Sequence, residues 1–197
     1  MIKIGITGGI GSGKSYVCRQ LQALAHIPVY SCDEEARRLN VESPLIRESL
    51  IQWVGPQVYH SDGSLNRQEL ARYLFATPEH AQQINSLIHP VVKQDFLQWA
   101  ERQDSPIVAL EAALLFEAGY QDSLDYTLLV TAPLDLRIQR ILERDHCTEQ
   151  EARQRIARQS TAEEKLKLAD FCLVNDGKKP LQEQLLPLLG FLRDKTL

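Results

Sequence analysis

Residues 2–15 read IKIGITGGIGSGKS, an apolar run that leads directly into a glycine-rich stretch. Residues 8–15 match the pattern G-x-x-x-x-G-K-[ST], and they lie between a predicted strand at residues 2–6 and a predicted helix that begins at Lys14. Glycines let the backbone turn so that its N–H groups point at phosphate oxygens, and the N-terminus of the following helix adds a positive dipole. The stretch therefore predicts a phosphate-binding loop, and we call residues 8–15 the phosphate loop.

Two side chains at the end of the phosphate loop carry charge and metal-binding chemistry. Lys14 offers a positive charge to the β and γ phosphates of a nucleotide, and the hydroxyl of Ser15 offers a ligand to the Mg²⁺ ion that bridges them. A glycine-rich turn with a solvated lysine is the structural alternative, and the match at both flanks argues against it. The predicted nucleotide-binding residues here are Gly9, Ile10, Gly11, Ser12, Gly13, Lys14, Ser15 and Tyr16, with Ser15 also the predicted metal ligand.

The composition is that of a globular chain with a small negative charge. The 197 residues are 44% hydrophobic and carry 22 Lys and Arg against 26 Asp and Glu, which gives a net charge of −4. A nucleic-acid-binding protein is expected to be basic, and no apolar run approaches the ~20 residues that cross a membrane. The four cysteines form no Cys-x-x-Cys pair, which argues against a disulfide framework or a zinc site. We therefore expect a cytoplasmic protein that binds neither nucleic acid nor membrane.

Apolar runs and helical patterns alternate along the chain. Five strands in an α/β layout are predicted by the runs at residues 2–6, 29–31, 107–110, 126–130 and 171–174. Residues 44–102 contain repeated helix-start signals and no convincing strand, so they predict a helical insertion. A second helical tract follows the fourth strand, where Thr148 with Glu151 and Thr161 with Glu164 form capping-box patterns. We expect both insertions to sit on one core.

A phosphate loop alone does not distinguish a kinase from a GTPase or a motor ATPase. Residues 175–178 read NDGK, which is not the Asn-Lys-x-Asp pattern that reads guanine, and no aspartate is followed three residues later by glycine as in a GTPase switch. A motor ATPase would normally be larger. The remaining class is a small phosphotransferase, which needs an acceptor pocket, a group that orients the acceptor hydroxyl, and arginines that stabilise the transferring phosphoryl group.

Three carboxylates are candidates for roles in such chemistry. Asp33 directly follows the second strand, at the edge of a parallel sheet where ligands bind, so it is a candidate base. The same position suits an N-cap of the next helix, and both roles stay open. Glu111 ends the third apolar run and is a candidate helper in holding magnesium. For Glu117, a solvated helix carboxylate is favoured over a role at the metal.

Arginines on the helix after the fourth strand are candidate phosphate ligands. Arg137, Arg140 and Arg144 are spaced by three and four residues, so they project from one face of that helix. They can clamp phosphates, although a charge stripe on a helix is usually a solvated face. The stripe leads into the second helical tract, which we interpret as a lid that closes over ATP and adds Arg153, Arg155 and Arg158.

Motifs spread over nearly the whole chain resemble those of the dephospho-coenzyme A kinase family. In chain order they are residues 7–15 (TGGIGSGKS), residues 62–67 (DGSLNR), His89-Pro90, residues 114–117 (LLFE), Arg144-Asp145, residues 152–159, Ala169-Asp170 and residues 175–177 (NDG). The phosphate loop is shared by many families, whereas the later motifs in this order are specific. Residues 31–33 read Ser-Cys-Asp where the family has Asp-Ala-Asp, so only the second aspartate, Asp33, is kept. Asn66 and Ala113 replace an aspartate and a proline that are frequent in the family.

The resemblance implies a kinase that uses ATP and Mg²⁺ to phosphorylate the ribose 3′-hydroxyl of dephospho-CoA. It implies a single kinase domain, with a nucleoside-monophosphate-kinase-like core around a five-stranded parallel sheet at residues 1–42, 103–144 and 166–197. A helical acceptor-binding subdomain is expected at residues 43–102 and a helical lid at residues 145–165. We expect a monomer or a weak oligomer. Two alternatives are another small-molecule kinase of the same core and a nucleotide-sensing protein without phosphoryl transfer.

The resemblance also assigns roles to individual residues. It implies catalytic roles for Asp33, as the base, and for Lys14 and Arg140 at the phosphates. Further ATP contacts are implied for Arg144 and for Asn175, the latter near adenine. The implied substrate-binding residues are Asp33, Arg67, His89 and Leu115. From the residues alone, Arg67 reads as a surface side chain and His89 as a structural or capping residue near the end of a helix.

Overall fold

Five parallel strands form one sheet in the computed structural model, which describes residues 1–196. The strands are β1 (Ile2–Thr7), β2 (Val29–Ser31), β3 (Ile107–Glu111), β4 (Tyr126–Thr131) and β5 (Phe171–Val174). Their order across the sheet is β2-β3-β1-β4-β5, so β1, which leads into the phosphate loop, lies at the centre. The predicted α/β fold with a five-stranded parallel sheet is confirmed.

Helices occupy most of the remaining described chain. They are α1 (Lys14–Ala25), α2 (Cys32–Glu42), α3 (Pro44–Val54), α4 (Arg67–Leu74), α5 (Pro78–Glu101), α6 (Leu134–Asp145), α7 (Glu149–Ala157), α8 (Ala162–Leu166) and α9 (Leu181–Asp194). Short 3-10 helices cover Pro56–Val58 and Tyr120–Ser123. The capping boxes predicted for the second helical tract are present at the starts of α7 and α8. No helix of residues 1–196 is long and apolar enough to cross a membrane.

The chain divides into two compact units. The first comprises Met1–Ser31 together with the chain from Arg102 onward, and the second comprises Cys32–Glu101. The second unit begins at Cys32, the first residue of α2, whereas the subdomain expected from the sequence begins after α2, at residue 43. Helix α2 belongs there because the Arg38 guanidinium on α2 donates to Asp95 on α5 at 2.6 Å.

The core of the first unit lies between the sheet and helices α1 and α9. Ile4 and Ile6 on β1 are fully buried, as are Val17 and Leu21 on α1 and Leu185 on α9. The continuous apolar character of β1 follows from burial on both faces of a central parallel strand. This packing fixes the start of α1, and with it the end of the phosphate loop.

The second unit explains part of the motif at residues 62–67. The Asp62 carboxylate accepts hydrogen bonds from the N–H and the hydroxyl of Ser64 at 2.9 and 2.6 Å, and Gly63 between them has φ 83°. The Asn66 side chain then caps α4 by accepting from the N–H of Glu69 at 3.3 Å. The motif therefore builds a tight turn followed by a helix start.

One local expectation in the second unit, for His89, is wrong, and one of the two open alternatives for Asp33 does not hold. Helix α5 continues through Pro90 to Glu101, so His89 lies in the middle of a helix and not near its end. Helix α2 begins at Cys32, so Asp33 lies inside its first turn and is not its N-cap. A carboxylate in the first turn still interacts favourably with the helix dipole.

Candidate active site

The phosphate loop wraps around the N-terminus of α1 in conformations that favour glycine. Gly11 has φ 79° and Gly13 has φ 97°. A Cβ on Gly11 would lie 2.6 Å from the carbonyl oxygen of Arg137, and one on Gly13 would collide with the side-chain amide of Asn175. Positive φ and close neighbours together explain why these two positions are glycine.

Side chains from outside the phosphate loop hold three successive carbonyl groups of the loop. The Arg137 Nε on α6 donates to the Ile10 carbonyl at 2.9 Å. Arg140 donates from one guanidinium nitrogen to the carbonyls of Gly11 and Ser12, both at 3.3 Å. Asn175 Nδ2 donates to the Ser12 carbonyl at 2.8 Å. Since these carbonyl oxygens are engaged by donors, the loop backbone has a fixed orientation toward any phosphate it binds.

Asn175 links the loop to the sheet. Its backbone N–H donates to the carbonyl of Thr131, the last residue of β4, at 2.8 Å. The second terminal nitrogen of Arg140 donates to the backbone and side-chain oxygens of Asn175 at 3.2 and 3.3 Å. Arg140 and Asn175, both predicted ATP contacts, therefore lie together against Ser12 of the phosphate loop.

The positive charge of the site comes from Lys14 and the start of α1. The Lys14 ammonium folds back over the loop and donates to the Gly8 carbonyl at 2.9 Å. The N-terminus of α1 adds the positive end of the helix dipole beside this ammonium. A triphosphate at this position meets both a cation and a positive dipole end.

Ser15 and Glu111 meet at the carboxyl ends of two neighbouring strands. Glu111 is the last residue of β3 and pairs in register with Ile6 of β1, which carries the loop. The Ser15 hydroxyl donates to Glu111 Oε1 at 2.7 Å. Hydroxyl and carboxylate oxygens are ligands that Mg²⁺ prefers, and Mg²⁺ normally takes only one or two protein ligands beside the substrate phosphates. The donor set therefore fits a magnesium ion.

A cavity of about 510 Å³ opens beside the loop. Its lining residues are Gly13, Tyr16, Arg140, Asn175, Gly177, Lys178, Lys179, Pro180 and Leu181. Tyr16, a predicted nucleotide contact, is 47% exposed there. The cavity is of a size that holds a ligand such as a nucleoside.

The second helical tract reaches the phosphate loop through Gln159, which sequence reasoning did not single out. Gln159 Oε1 accepts the N–H of Ile10 at 2.8 Å. The tract is attached to α6 by a small apolar cluster in which Ile138, Ile141 and Ala152 are buried and Ile10 packs against them. Gln159 ends the 152–159 motif, but nothing in its spacing indicated this contact.

Arg144 is placed differently from Arg137 and Arg140. Its guanidinium donates to both carboxylate oxygens of the adjacent Asp145, at 2.7 and 3.0 Å, and the Arg144 side chain is 62% exposed. Arg155 donates to the same carboxylate at 2.8 Å. The structure therefore brings two of the three arginines of the stripe to the phosphate loop and turns Arg144 to Asp145.

Glu117 is exposed, as the sequence favoured, but it lies in the turns after β3 and not on a helix, and its carboxylate has two partners. Its Oε1 accepts from the Ser160 hydroxyl at 2.7 Å and lies 3.1 Å from the ammonium of Lys165. Burial raises the pKa of Glu117, but the hydrogen bonds from Ser160 and Lys165 outweigh it, and the net direction is downward. Glu117 is therefore held ionised by these partners.

Leu115 and the candidate residues of the second unit complete the predicted set. The Leu115 side chain is fully buried, so it forms part of the core and offers no surface to a substrate. Arg67 is the first residue of α4, and Asp33 is the second residue of α2, two positions after β2 ends. Burial lowers the pKa of His89, so its imidazole is neutral at pH 7.

The fold and the site together define the class of the protein. A parallel sheet carries a glycine-rich loop, a lysine and a serine at the start of a helix, and an acidic residue at the end of the adjacent strand. These are the features of a P-loop phosphotransferase. The sequence model of the dephospho-CoA kinase family matches residues 2–180.

Individual relatives agree with that match. The chain is 46% identical over 195 residues to a dephospho-CoA kinase of Bacteroides fragilis, which covers 98% of this chain and 94% of the relative. Among solved structures, a Thermus thermophilus protein has 35% identity and a TM-score of 0.82, covering 98% of this chain and 97% of that one. A dephospho-CoA kinase from Campylobacter jejuni has 25% identity and a TM-score of 0.65, covering 88% of each chain. The chain belongs to the dephospho-CoA kinase family and is a kinase, which confirms the resemblance seen in the motifs.

Proposed function

We propose that this chain transfers the γ-phosphoryl group of ATP to the ribose 3′-hydroxyl of dephospho-CoA, with Mg²⁺ as cofactor. The observation that carries the proposal is the 2.7 Å contact of the Ser15 hydroxyl with Glu111 at the end of the phosphate loop. This contact places two oxygen atoms that can bind a metal ion beside the phosphate loop. A kinase requires such oxygens, whereas a phosphate-binding turn without catalysis does not. Membership of the family supports the acceptor.

The phosphate side of the reaction is assigned to residues of the first unit. The loop N–H groups and Lys14 bind the β and γ phosphates, and Arg140 supports the charge that spreads over the transferring group. Ser15 and Glu111 would hold Mg²⁺, which when bound neutralises charge on those phosphates. Because Arg140 also fixes the carbonyls of Gly11 and Ser12, its effect on the loop and its effect on the phosphoryl group act together.

The acceptor side is assigned to Asp33 and the helical segment at residues 43–102. The 3′-oxygen of the ribose forms a bond to the γ-phosphorus, the bond from that phosphorus to the bridging oxygen of ADP breaks, and the proton of the hydroxyl passes to the Asp33 carboxylate. Asp33 is two residues beyond Ser31, so their Cα atoms lie within ~7 Å of each other. Arg67 and the neutral His89 are assigned to binding the acceptor.

The lid is assigned to residues 145–165. Its contact with the phosphate loop through Gln159 supports this assignment, because movement of the segment changes what faces Ile10. Closure over ATP excludes water from the γ-phosphate, and water is the acceptor that would waste ATP.

The test is ADP release measured with ATP, Mg²⁺ and dephospho-CoA. We expect release that depends on dephospho-CoA and is absent with CoA, whose 3′-position is already phosphorylated. Faster release with a different hydroxyl acceptor would show another small-molecule kinase of the same core. ATP binding without acceptor-dependent release would show a nucleotide-sensing protein, and either result would refute the proposal.

A further inference from the structure

Lys165 is a buried cation outside the set of residues assigned to ATP. It lies on α8 and is only 1% exposed. Its ammonium donates to the Ala113 carbonyl at 2.7 Å and pairs with Glu117 Oε1 at 3.1 Å. A buried ammonium is tolerated only where such partners compensate for the lost water.

The contacts of Lys165 connect two segments that are distant in the sequence. Ala113 and Glu117 follow β3, whereas Lys165 lies at the end of the lid segment. Glu117 Oε1 also accepts the hydroxyl of Ser160, at 2.7 Å. The Glu117 carboxylate therefore fixes two residues of the 160–165 segment at once, one at each end of the segment.

The contacts of Lys165 and Glu117 are connected to the phosphate loop at two places. Gln159, the residue before Ser160, accepts the N–H of Ile10 at 2.8 Å. The second connection runs through the Ala113 carbonyl, which accepts a hydrogen bond from Lys165. The same carbonyl accepts a hydrogen bond from the hydroxyl of Thr7, the last residue before the loop, at 3.4 Å. Ser160 and Lys165 line a small cavity with Gly9 and Ser12 of the loop, together with Arg137.

We propose that Glu117 and Lys165 are positioning residues for phosphoryl transfer, which hold Ser160 so that Gln159 stays on the N–H of Ile10. This inference rests on the proposed function. Lys165 is buried but 28% of the Glu117 side chain is exposed, so the pair adds little net stability, whereas the buried ammonium needs its partners in place. Its contribution is therefore expected in the alignment of the loop. Small misplacements of groups around reacting phosphates are costly in rate.

The test compares three variants of the pair with two matched control variants close to Lys165 in the chain. The variants are Lys165→Met, Glu117→Gln and the double variant, and the controls are Lys167→Met and Glu163→Gln at exposed positions of the α8 region. We expect kcat to fall ~10- to 100-fold in each pair variant, with KM for ATP within ~3-fold of the wild type. The kcat of the double variant should be no lower than that of Lys165→Met, because both substitutions remove the same interaction between residues 117 and 165.

A second measurement follows the loop directly. Hydrogen exchange at the Ile10 amide should become ~10-fold faster in Glu117→Gln and in Lys165→Met, and stay unchanged in both controls. Lys165→Arg keeps a buried cationic donor and should recover most of the kcat. A merely stabilising pair would lower Tm and leave kcat and Ile10 exchange of the folded enzyme at wild-type values, and that result would overturn the proposal.

The outcomes also separate this inference from the proposed function. Wild-type protein that releases no ADP with dephospho-CoA refutes the proposed function, and Ile10 exchange still decides whether the pair holds the loop. Where Lys165→Met fails to fold, Glu117→Gln carries both measurements, because it removes the charge that pairs with Lys165 while keeping a side chain of nearly the same size. Unchanged kcat and exchange in Glu117→Gln would then refute the positioning role.

Discussion

Arg140→Ala is expected to cost both stability and catalysis, and the cost in stability follows from the structure. The guanidinium makes four hydrogen bonds, to the carbonyls of Gly11 and Ser12 and to two oxygens of Asn175, all at 3.2 to 3.3 Å. These are long and partly exposed, so each contributes ~0.5 kcal/mol at the low end of the usual range, about 2 kcal/mol together. For a chain of this size, that loss lowers Tm by ~4–8 °C.

The loss in turnover is expected to exceed this loss in stability. Without Arg140, two carbonyls of the phosphate loop lose a donor, and under the proposed function the transferring phosphoryl group also loses a cation. We expect kcat to fall ~100-fold or more, with a smaller change in the dissociation constant of ATP. Steady-state ADP release gives kcat, titration calorimetry gives ATP binding, and thermal unfolding gives Tm.

Arg137→Ala and Arg144→Ala provide the comparison within the same helix. Arg137→Ala removes one 2.9 Å hydrogen bond to the loop and should have an intermediate effect on kcat. Arg144 pairs with Asp145 and is largely exposed, so Arg144→Ala should change kcat by less than ~3-fold. The reasoning fails if Arg144→Ala lowers kcat as much as Arg140→Ala, or if Arg140→Ala changes Tm alone.

Three further predictions concern other residues of the site. Lys14→Ala should abolish transfer and leave the circular-dichroism spectrum unchanged, because the proposed role of Lys14 is to neutralise phosphate charge and not to pack in the core. Wild-type turnover of this variant at saturating ATP would contradict the prediction. Asp33→Asn should lower kcat by ~10² to 10⁴ without a large change in Tm, and a loss below tenfold would make Asp33 structural. The partners of Glu117 lower its pKa below the ordinary 4.5, so its contribution to stability is present above that pH and is lost as the pH falls through the folded-state pKa. Between pH 7 and pH 3, the Tm of Glu117→Gln should therefore fall less than the Tm of the wild type. An equal fall of Tm in both proteins would show that Glu117 does not contribute to acid sensitivity.

The parts of the site that the sequence predicted are those set by neighbours along the chain. The strand, loop and helix around residues 2–15 form a local unit, since glycine conformations and the first turn of α1 depend on adjacent residues. Glu111 could be singled out because it ends an apolar run, and strand ends in a parallel sheet share one edge. The capping boxes at Thr148 and Thr161 are equally local.

The parts that were missed depend on contacts across the fold. Lys165 lies in a stretch rich in Glu and Lys that reads as a solvated surface, and only the position of α8 against the segment after β3 buries it. Gln159 meets Ile10 across 149 positions of sequence. Arg144 keeps the spacing of the arginine stripe, yet the neighbouring Asp145 offers a closer partner than the loop. Spacing gives the face of a helix, whereas the partner on that face is set by the tertiary fold.

Ile10 is where the nucleotide site and the second helical tract are joined. Its carbonyl is held by Arg137 on α6, its N–H is held by Gln159, and its side chain packs on the apolar cluster between α6 and α7. Backbone and side chain of one residue are thus attached to both helical elements. A movement of the tract that displaces Gln159 must therefore either free the Ile10 N–H or turn the peptide that carries it. Since that peptide belongs to the phosphate loop, a displacement of Gln159 changes the loop geometry, and we expect ATP binding at the loop to be coupled to the position of the tract.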